Sequence, residues 1–302
     1  MKRAEISNGD PVALQATTAN PETVGQIFTQ AQADLTDKTV LTKAHEMTFI
    51  TDKTAVITGA SKGIGAAAAR HLAERGAQVV LAARSRKAIE TLAAEIVAKG
   101  GRASAFTCDV SDHHAVAALI QHAQNRFGRV DILINNAGLI DPISRIADSD
   151  PALWGAVVDV NVKGVYHGLR YAIPVMLAQG GGTIINISSG AANSFLEGWS
   201  HYCATKAAVL RLTGVAHKEY GDQGVRVLGL SPGTVATDMQ VSIKASGLNP
   251  VSQLDPSAHI PPDWVAQAIA WLCTPDADAH LGADVSLKTD EGRAAIGLPP
   301  VA

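Results

Sequence analysis

The chain has 302 residues, of which 47% are hydrophobic and 18% are charged, and its formal net charge is −3. This composition supplies enough apolar side chains for a large core, and it argues against a nucleic-acid-binding domain, which is usually basic. The N-terminus lacks the apolar segment of a signal peptide, and no apolar run approaches the roughly 20 residues of a membrane span. We therefore expect a cytoplasmic protein that has no nucleic-acid or membrane partner.

Residues 1–46 differ in composition from the rest of the chain. The stretch "ISNGDPVALQATTANPET" is polar and rich in turn residues, and "PETVGQIFTQAQADL" has the pattern of one short helix. We interpret residues 1–46 as an N-terminal extension that is flexible or partly helical, and residues 47–302 as the catalytic domain.

From Lys53 onwards, apolar runs rich in β-forming residues alternate with helical patterns. The seven runs are "TAVIT", "AQVVLAA", "ASAFTCDV", "VDILIN", "GTIINIS", "VRVLGLS" and "ADVSL". The six helical patterns are Gly63–Arg75, Arg86–Lys99, Asp112–Phe127, Pro151–Ala178, Ser200–Tyr220 and Asp263–Cys273. This alternation predicts an α/β fold with a single Rossmann-type, doubly wound parallel sheet of about seven strands and helices on both faces. Residues 240–262 have no clear period, so we expect a substrate flap there.

The first strand leads into a glycine-rich turn, "TGASKGIG", which contains Gly59, Gly63 and Gly65. Glycine permits a tight turn and a close approach of the backbone to a phosphate. The helix that begins at this turn offers unpaired N–H groups and the positive end of its dipole to a pyrophosphate. Because the motif opens the first strand–helix unit, it predicts a dinucleotide-binding site.

The end of the second strand, "VVLAARSR", indicates which dinucleotide is bound. An acidic residue about 20 residues after the glycine turn would bind the ribose 2′-hydroxyl of NAD. Ala83 and Arg84 stand there instead, and Lys62 adds a second cation from the turn. Since arginine can bind a 2′-phosphate through two hydrogen bonds and lysine adds a point charge, we expect NADP(H) in preference to NAD(H). The alternative is that both are solvated surface charges.

The short motifs from about Lys53 to Cys273 are, in order, "TGASKGIG", "NNAG" (Asn135–Gly138), "NVKG" from Asn161, "SS" (Ser188–Ser189), "YCATK" (Tyr202–Lys206) and "SPGTVATDM" (Ser231–Met239). Their order resembles that of the short-chain dehydrogenase/reductase family. The pattern is most similar to reductases of 3-oxoacyl thioesters and related carbonyl compounds. The resemblance implies hydride transfer between a nicotinamide and a small carbonyl or secondary alcohol substrate, by a homotetramer or homodimer.

Tyr202 is the candidate acid and base of this reaction, and Lys206 lies one helical turn further on the same face. A free tyrosine has a pKa near 10, so about 3 units of lowering would be needed for a base at neutral pH. A nearby cation typically supplies about 1–3 units, so we expect Lys206 to lower the pKa of Tyr202. The resemblance implies that Lys206 also binds the nicotinamide ribose.

Ser189 and Asn161 complete the candidate catalytic set by resemblance. The family places a substrate-polarising serine 12–13 residues before the tyrosine, and Ser189 fits that distance better than Ser188 does. Adjacent strand side chains point to opposite sides, so we expect Ser188 to satisfy local backbone instead. Asn161 is a mediocre helix former inside a helical pattern, which predicts a local distortion. The matching asparagine of the family holds a water in a proton relay.

The resemblance also assigns cofactor contacts to residues in several motifs. Together with the cations discussed above, the predicted cofactor-binding residues are Gly59, Ser61, Lys62, Gly63, Ile64, Gly65, Arg84, Asp109, Val110, Asn136, Ala137, Gly138, Tyr202, Lys206, Pro232, Gly233, Val235 and Thr237. No metal site is expected, because the histidines and the three cysteines lack ligand spacing.

Two other functions remain open on the sequence. A non-catalytic sensor or scaffold that binds NADP(H) would keep the glycine turn, but it would not require the serine, tyrosine and lysine. Dehydratase or epimerase chemistry is the other alternative, although such relatives are often longer at the C-terminus. The C-terminal "TDEG" departs from the usual "VDGG" turn, with Glu291 in place of a glycine, which puts subunit packing along that edge in doubt.

Overall fold

The computed structural model describes residues 41–301. A compact unit begins at His45 and holds the rest of the described chain. At its start, residues 45–50 are helical, Ile50 is fully buried, and Glu46 forms a buried ion pair with Arg75. Most of the predicted N-terminal extension, residues 1–40, lies outside the described residues, so its conformation and its boundary stay predictions.

Seven parallel strands form the central sheet. They are β1 (Thr54–Thr58), β2 (Gln78–Ala83), β3 (Arg102–Thr107), β4 (Ile132–Asn135), β5 (Gly182–Ile187), β6 (Val225–Ser231) and β7 (Asp284–Ser286). Their order across the sheet is β3-β2-β1-β4-β5-β6-β7. The predicted Rossmann-type, doubly wound sheet is confirmed. The order reverses beside β1, and ligands of such sheets bind at the carboxyl ends of the strands near this point.

Helices cover both faces of the sheet. Between residues 53 and 301 the α-helices are α1 (Gly63–Ala73), α2 (Arg86–Ala98), α3 (His113–Phe127), α4 (Pro151–Val158), α5 (Gly164–Ala178), α6 (Ser200–Tyr220), α7 (Asp238–Ser246), α8 (Pro262–Leu272) and α9 (Asp290–Ala294). Across residues 41–301, no helix combines the length and the apolar character that a membrane crossing requires.

Each face of the sheet carries its own apolar cluster. Ile57 and Leu81 belong to the cluster under α1, α2 and α8, whereas Val56 and Val80 belong to the cluster under α3, α5 and α6. Successive strand residues point to opposite faces, so a strand that is apolar throughout must be covered on both sides. Full burial of one such side chain contributes roughly 1.5–3 kcal/mol. The sheet is therefore a firm support for the loops at its carboxyl end.

Two regions differ from the predicted elements. The fourth helical pattern is divided into α4 and α5 by a π-helical turn at Asp159–Lys163. The predicted flap begins with α7, where no helical period was recognised, and continues in short 3-10 turns. Met239 and Ile243 lie one turn apart in α7 and pack into the same apolar cluster, and Gly247 ends the helix at a φ of 64°. These three residues are the signal for α7 that the sequence contained.

Candidate active site

A cavity of about 700 Å³ opens at the carboxyl end of the sheet. Its walls come from the last residues of β2 and β5 and from the segments that follow all seven strands. The predicted site residues line this cavity with two exceptions, Gly65 and Asn161. Both exceptions lie behind the wall, where they support residues that do line it. The fold thus brings together motifs that are up to about 180 residues apart in the sequence.

The glycine turn forms one end of the cavity. Gly59 and Gly63 have φ angles of 65° and 55°, in the left-handed region that favours glycine. A Cβ on Gly65 would lie 2.5 Å from the carbonyl oxygen of Gly59, so this position has no space for a side chain. Helix α1 starts at Gly63 without a side-chain cap, and its first N–H groups are therefore available to an anion.

Asn136 fixes the glycine turn to the end of β4. Its side-chain Nδ2 donates to the carbonyl oxygens of Thr58 at 2.9 Å and Gly59 at 3.2 Å. Its backbone N–H donates to the Thr58 hydroxyl at 3.0 Å. The turn is consequently held in shape by neighbouring strands, and its form does not depend on a ligand.

The two predicted selectivity cations lie in different surroundings. Arg84 lines the cavity at the end of β2, near Asp109. Burial raises the pKa of Asp109, but hydrogen bonds from Ser111 and the charge of Arg84 outweigh burial and lower it below its usual value. Lys62 instead pairs with Asp238 of α7, with 2.8 Å between Nζ and Oδ2, and both side chains are more than two-thirds exposed. An exposed pair of this kind is typically worth only about 0–1 kcal/mol.

Tyr202 lies at the opposite end of the cavity, in the first turn of α6. Its ring is 8% exposed and packs in an apolar cluster with Ile140, Trp199 and Ile243. Burial raises the pKa of Tyr202 to about 12, although a hydrogen bond with the Ser189 side chain acts in the lowering direction. The lowering of this pKa by Lys206 was expected but is not found, because burial outweighs the Ser189 contact and Lys206 is not among the groups that shift the pKa of Tyr202.

Lys206 lies beneath Tyr202 and is 5% exposed. Its Nζ donates to the carbonyl oxygen of Ile187 at 2.7 Å and lies 5.6 Å from the centre of the Tyr202 ring. Burial lowers the pKa of Lys206 to about 8, while the charge of Asp284 acts in the raising direction. The ammonium is thus held in place by the carbonyl at the end of β5, close to the tyrosine.

The two adjacent serines both line the cavity, but their hydroxyls have different partners. The Ser189 hydroxyl accepts from the backbone N–H of Ala191 at 3.2 Å and lies close enough to Tyr202 to act on its pKa. Ser188 is 2% exposed, but its hydroxyl donates to Oδ2 of Asp284 and not to the backbone group that was expected. The sequence could not show this contact, because Asp284 lies 96 positions further along the chain.

Asn161 occupies the π-helical turn between α4 and α5, so the predicted distortion is confirmed. Its side chain is 1% exposed and bonds to both backbone groups of Leu139, with Oδ1 accepting at 2.8 Å and Nδ2 donating at 2.9 Å. Nδ2 also reaches the Thr205 hydroxyl at 3.2 Å. Asn161 therefore holds the chain after Gly138 against α6, and a role in a proton relay stays a prediction.

Sequence reasoning missed several residues of the cavity. Lys288, in the turn after β7, lines the cavity with its stem close to Gly233. Apolar side chains of Leu196, Met239 and Val251 line the part near Tyr202. Lys288 immediately precedes the "TDEG" that departs from the usual "VDGG" turn, so that departure lies next to the cavity wall.

The arrangement has a clear chemical capability. A hydroxyl and a phenol converge on one part of the cavity, with a buried ammonium behind the phenol. Such groups can hydrogen-bond a substrate oxygen and exchange a proton with it. At the other end, free N–H groups and Arg84 are suited to the phosphates of a dinucleotide.

Comparisons with known proteins agree with this geometry. A family model described as short chain dehydrogenase matches residues 53–247. A 3-oxoacyl-[acyl-carrier-protein] reductase of Synechocystis sp. is 38% identical over 78% of this chain and 94% of its own length. A cyclohexanol dehydrogenase of Acinetobacter sp. is 33% identical over 76% of this chain and 91% of its own length. The crystal structure of levodione reductase aligns with a TM-score of 0.74 and 28% identity, over 81% of this chain and 99% of that one.

Proposed function

Since this chain belongs to the short-chain dehydrogenase family, whose members act on carbonyl or alcohol groups with a nicotinamide cofactor, we propose that it is an NADP(H)-dependent carbonyl reductase in which Tyr202 transfers the proton. The observation that carries the proposal is the meeting of Ser189, Tyr202 and Lys206 at one end of a cavity whose other end is the glycine turn. A protein that only senses NADP(H) would not need this set.

The donors and the shape of the site fit a dinucleotide phosphate. The N–H groups of α1 are free at the glycine turn, and a Cβ at Gly65 would fill the cradle that the turn forms. Arg84 and Lys62 both line the cavity and would bind the 2′-phosphate, and the exposed pair of Lys62 with Asp238 is weak enough to give way to that contact. Once bound, the nicotinamide supplies or accepts a hydride. Gly138 and Lys206 line the wall beside which it would lie.

The protonation state of Tyr202 suits reduction. With a pKa raised to about 12, the phenol keeps its proton at neutral pH, and this is the form that can donate to a carbonyl oxygen. Ser189 can donate to the same oxygen and stabilise the charge that develops there. Lys206 stabilises the phenolate that remains, because an ammonium attracts the phenolate more strongly than the neutral phenol.

The substrate part of the cavity favours a compact, largely apolar carbonyl compound. Its walls include Leu196, Trp199, Met239 and Val251. The names of the relatives, a reductase of acyl-carrier-protein thioesters and a dehydrogenase of cyclohexanol, suggest two substrate panels: 3-oxoacyl thioesters and cyclic ketones. Loss of NADPH absorbance with each panel would identify the class. A protein that binds NADPH but turns over neither panel would favour the sensor alternative. The homotetramer or homodimer and the cytoplasmic location stay predictions.

Replacement of Tyr202 by phenylalanine tests the mechanism. The ring and its packing remain, but the proton is lost, so we expect kcat to fall by roughly 10²–10⁴-fold. The Kd for NADPH, measured by fluorescence titration, should change by less than about threefold. Tyr220→Phe is the matched control, because Tyr220 lies at the other end of α6 and outside the cavity. Full activity of Tyr202→Phe would refute the proposed role.

A further inference from the structure

Asp284 is a carboxylate for which the proposed mechanism has no use. It is the first residue of β7, and its side chain lies beneath the catalytic end of the sheet. The Ser188 hydroxyl donates to Oδ2, whereas Oδ1 is buried and has no hydrogen-bond partner within residues 41–301. Burial of a carboxylate is costly unless an opposite charge or hydrogen bonds stabilise it. A carboxylate in this position therefore points to a nearby cation.

The sheet leaves space for this carboxylate. Gly229 of β6 is the direct neighbour of Asp284 in the parallel register. A Cβ on Gly229 would lie 2.1 Å from Oδ1 of Asp284, so any other residue would push the carboxylate out of its place. The space left by Gly229 of β6 and the hydroxyl of Ser188 after β5 thus define a specific pocket for the carboxylate.

The nearby cation is Lys206 of α6. Burial raises the pKa of Asp284 to about 6, and the Ser188 hydrogen bond and the charge of Lys206 act against that rise. In return, Asp284 acts against the fall that burial causes in the pKa of Lys206. Each charge therefore favours the ionised form of the other. The two groups also meet at the end of β5, because the Lys206 ammonium donates to the carbonyl oxygen of Ile187 and the hydroxyl of the next residue, Ser188, donates to Asp284.

Among residues 41–301, no other charged group near β7 takes the place of Lys206 as the electrostatic partner of Asp284. Gly229 brings no charge from β6, and the chain after β5 contributes the neutral Ser188 hydroxyl. In the part of the chain that the structure describes, Lys206 is the charged residue whose field perturbs the pKa of Asp284. Lys288 in the following turn and Asp290 at the start of α9 are both exposed, so solvent screens their charges.

We propose that Asp284 is the half-buried counter-ion that keeps Lys206 in its ammonium form, and that it is therefore a positioning residue for the Tyr202–Lys206 pair. This inference rests on the proposed function of that pair. A neutral lysine amine would give the Tyr202 phenolate no charge stabilisation, so the carboxylate supports proton transfer without contact with the substrate. It extends the alkaline limit of the pH range in which Tyr202 can work.

The kinetic test is the pH profile of kcat/KM for carbonyl reduction in Asp284→Asn, which removes the charge at nearly constant volume. Without the carboxylate, the pKa of Lys206 falls, so the ammonium is lost at a lower pH. Because that pKa starts at about 8, we expect the alkaline limb of the profile to move down by about 1–2 pH units, with a loss that already reaches pH 7 and is smallest at the acid end of the profile. Asp284→Ser, which is also neutral, should give the same direction if the asparagine variant folds poorly.

Two matched variants separate charge from structure. Ser188→Ala removes the hydrogen bond but leaves Asp284 ionised at alkaline pH, so it should move the limb much less. Asp131→Asn removes a carboxylate that is 6% exposed and bonded to Arg129 and to the N–H of Thr54. Asp131 directly precedes β4, at the amino end of the sheet and opposite the cavity. It should lower stability without moving the limb. An equal shift in Asp131→Asn would overturn the inference.

A readout that needs no turnover completes the test. The ¹³Cε resonance of Lys206, in protein with ¹³C-labelled lysine, titrates with the ammonium and can be assigned by its loss in Lys206→Arg. In Asp284→Asn its midpoint should fall by about 1–2 pH units. An unchanged midpoint would overturn the inference whatever the activity. A lowered midpoint with an unmoved kinetic limb would support the ion pair and contradict instead the proposed role of Lys206 in turnover.

Discussion

Substitution of Gly65 by alanine should disable the dinucleotide cradle while most of the fold remains. A Cβ at this position would lie 2.5 Å from the carbonyl oxygen of Gly59 and 2.7 Å from Nδ2 of Asn136. Ordinary van der Waals contact begins at 3.4 Å, so the glycine turn must move by about 0.9 Å. A displacement near 1 Å can cost on the order of 100-fold in a positioned interaction. Overpacking typically costs a further 1–3 kcal/mol of stability.

We therefore expect the Kd of NADPH, measured by fluorescence titration, to rise about 10- to 100-fold in Gly65→Ala. The free energy of unfolding, measured in urea, should fall by about 1–3 kcal/mol. The matched control is Gly155→Ala in α4, because a Cβ there would meet no atom within 4 Å. That change should leave NADPH binding as it is and stabilise the helix by roughly 0.5–1 kcal/mol. Binding by Gly65→Ala within twofold of the original would refute the steric argument.

Three further predictions concern selectivity, the flap and the start of the compact unit. Arg84→Ala should lower kcat/KM for NADPH by about 10- to 100-fold, the loss of one charged hydrogen-bonding group, with NADH affected less than threefold; equal losses with both cofactors would contradict this. Asn249 of the flap is buried and donates to the carbonyl oxygen of Glu197 at 3.0 Å. Asn249→Ala should therefore raise KM for the carbonyl substrate several-fold and leave the Kd of NADPH unchanged. A change in that Kd would argue against a flap contact. Glu46→Ala leaves Arg75 buried without its partner and should cost about 3–5 kcal/mol in urea unfolding, a loss that an exposed pair would not produce.

The strands of the sheet and the positions of the short motifs could be predicted from the sequence, because each depends on residues that are close together in the chain. A buried parallel strand is apolar along most of its length, and the five strands inside the sheet have that form, whereas the outer strands β3 and β7 are only partly buried and contain polar residues. Glycine turns, a tyrosine and a lysine one helical turn apart, and an asparagine inside a helix are likewise visible within a few residues. The π turn at Asn161 shows that even a distortion can be expected from one poor helix former.

Contacts between distant segments could not be predicted. The pair of Ser188 with Asp284 joins the ends of β5 and β7, and the pair of Lys62 with Asp238 joins the glycine turn to the flap helix. Neither follows from spacing, because both depend on which strands become neighbours and how far each helix extends. The prediction that the pKa of Tyr202 falls was wrong for a related reason. The helical spacing showed that Lys206 is near, but it could not show how completely distant segments bury the tyrosine.

The pKa values of Tyr202 and Lys206 together set a condition on the reaction. Burial favours the neutral form of both groups. It raises the pKa of the Tyr202 phenol to about 12 and lowers the pKa of the Lys206 ammonium to about 8. In the proposed reduction, the neutral phenol gives up its proton and leaves a phenolate, so Lys206 would still have to be charged after the transfer to stabilise it. Asp284 is the residue that opposes the loss of that charge. Because the carboxylate depends on Gly229 for space, the condition also extends to β6: Gly229→Ala should narrow the alkaline range of reduction in the same way as Asp284→Asn.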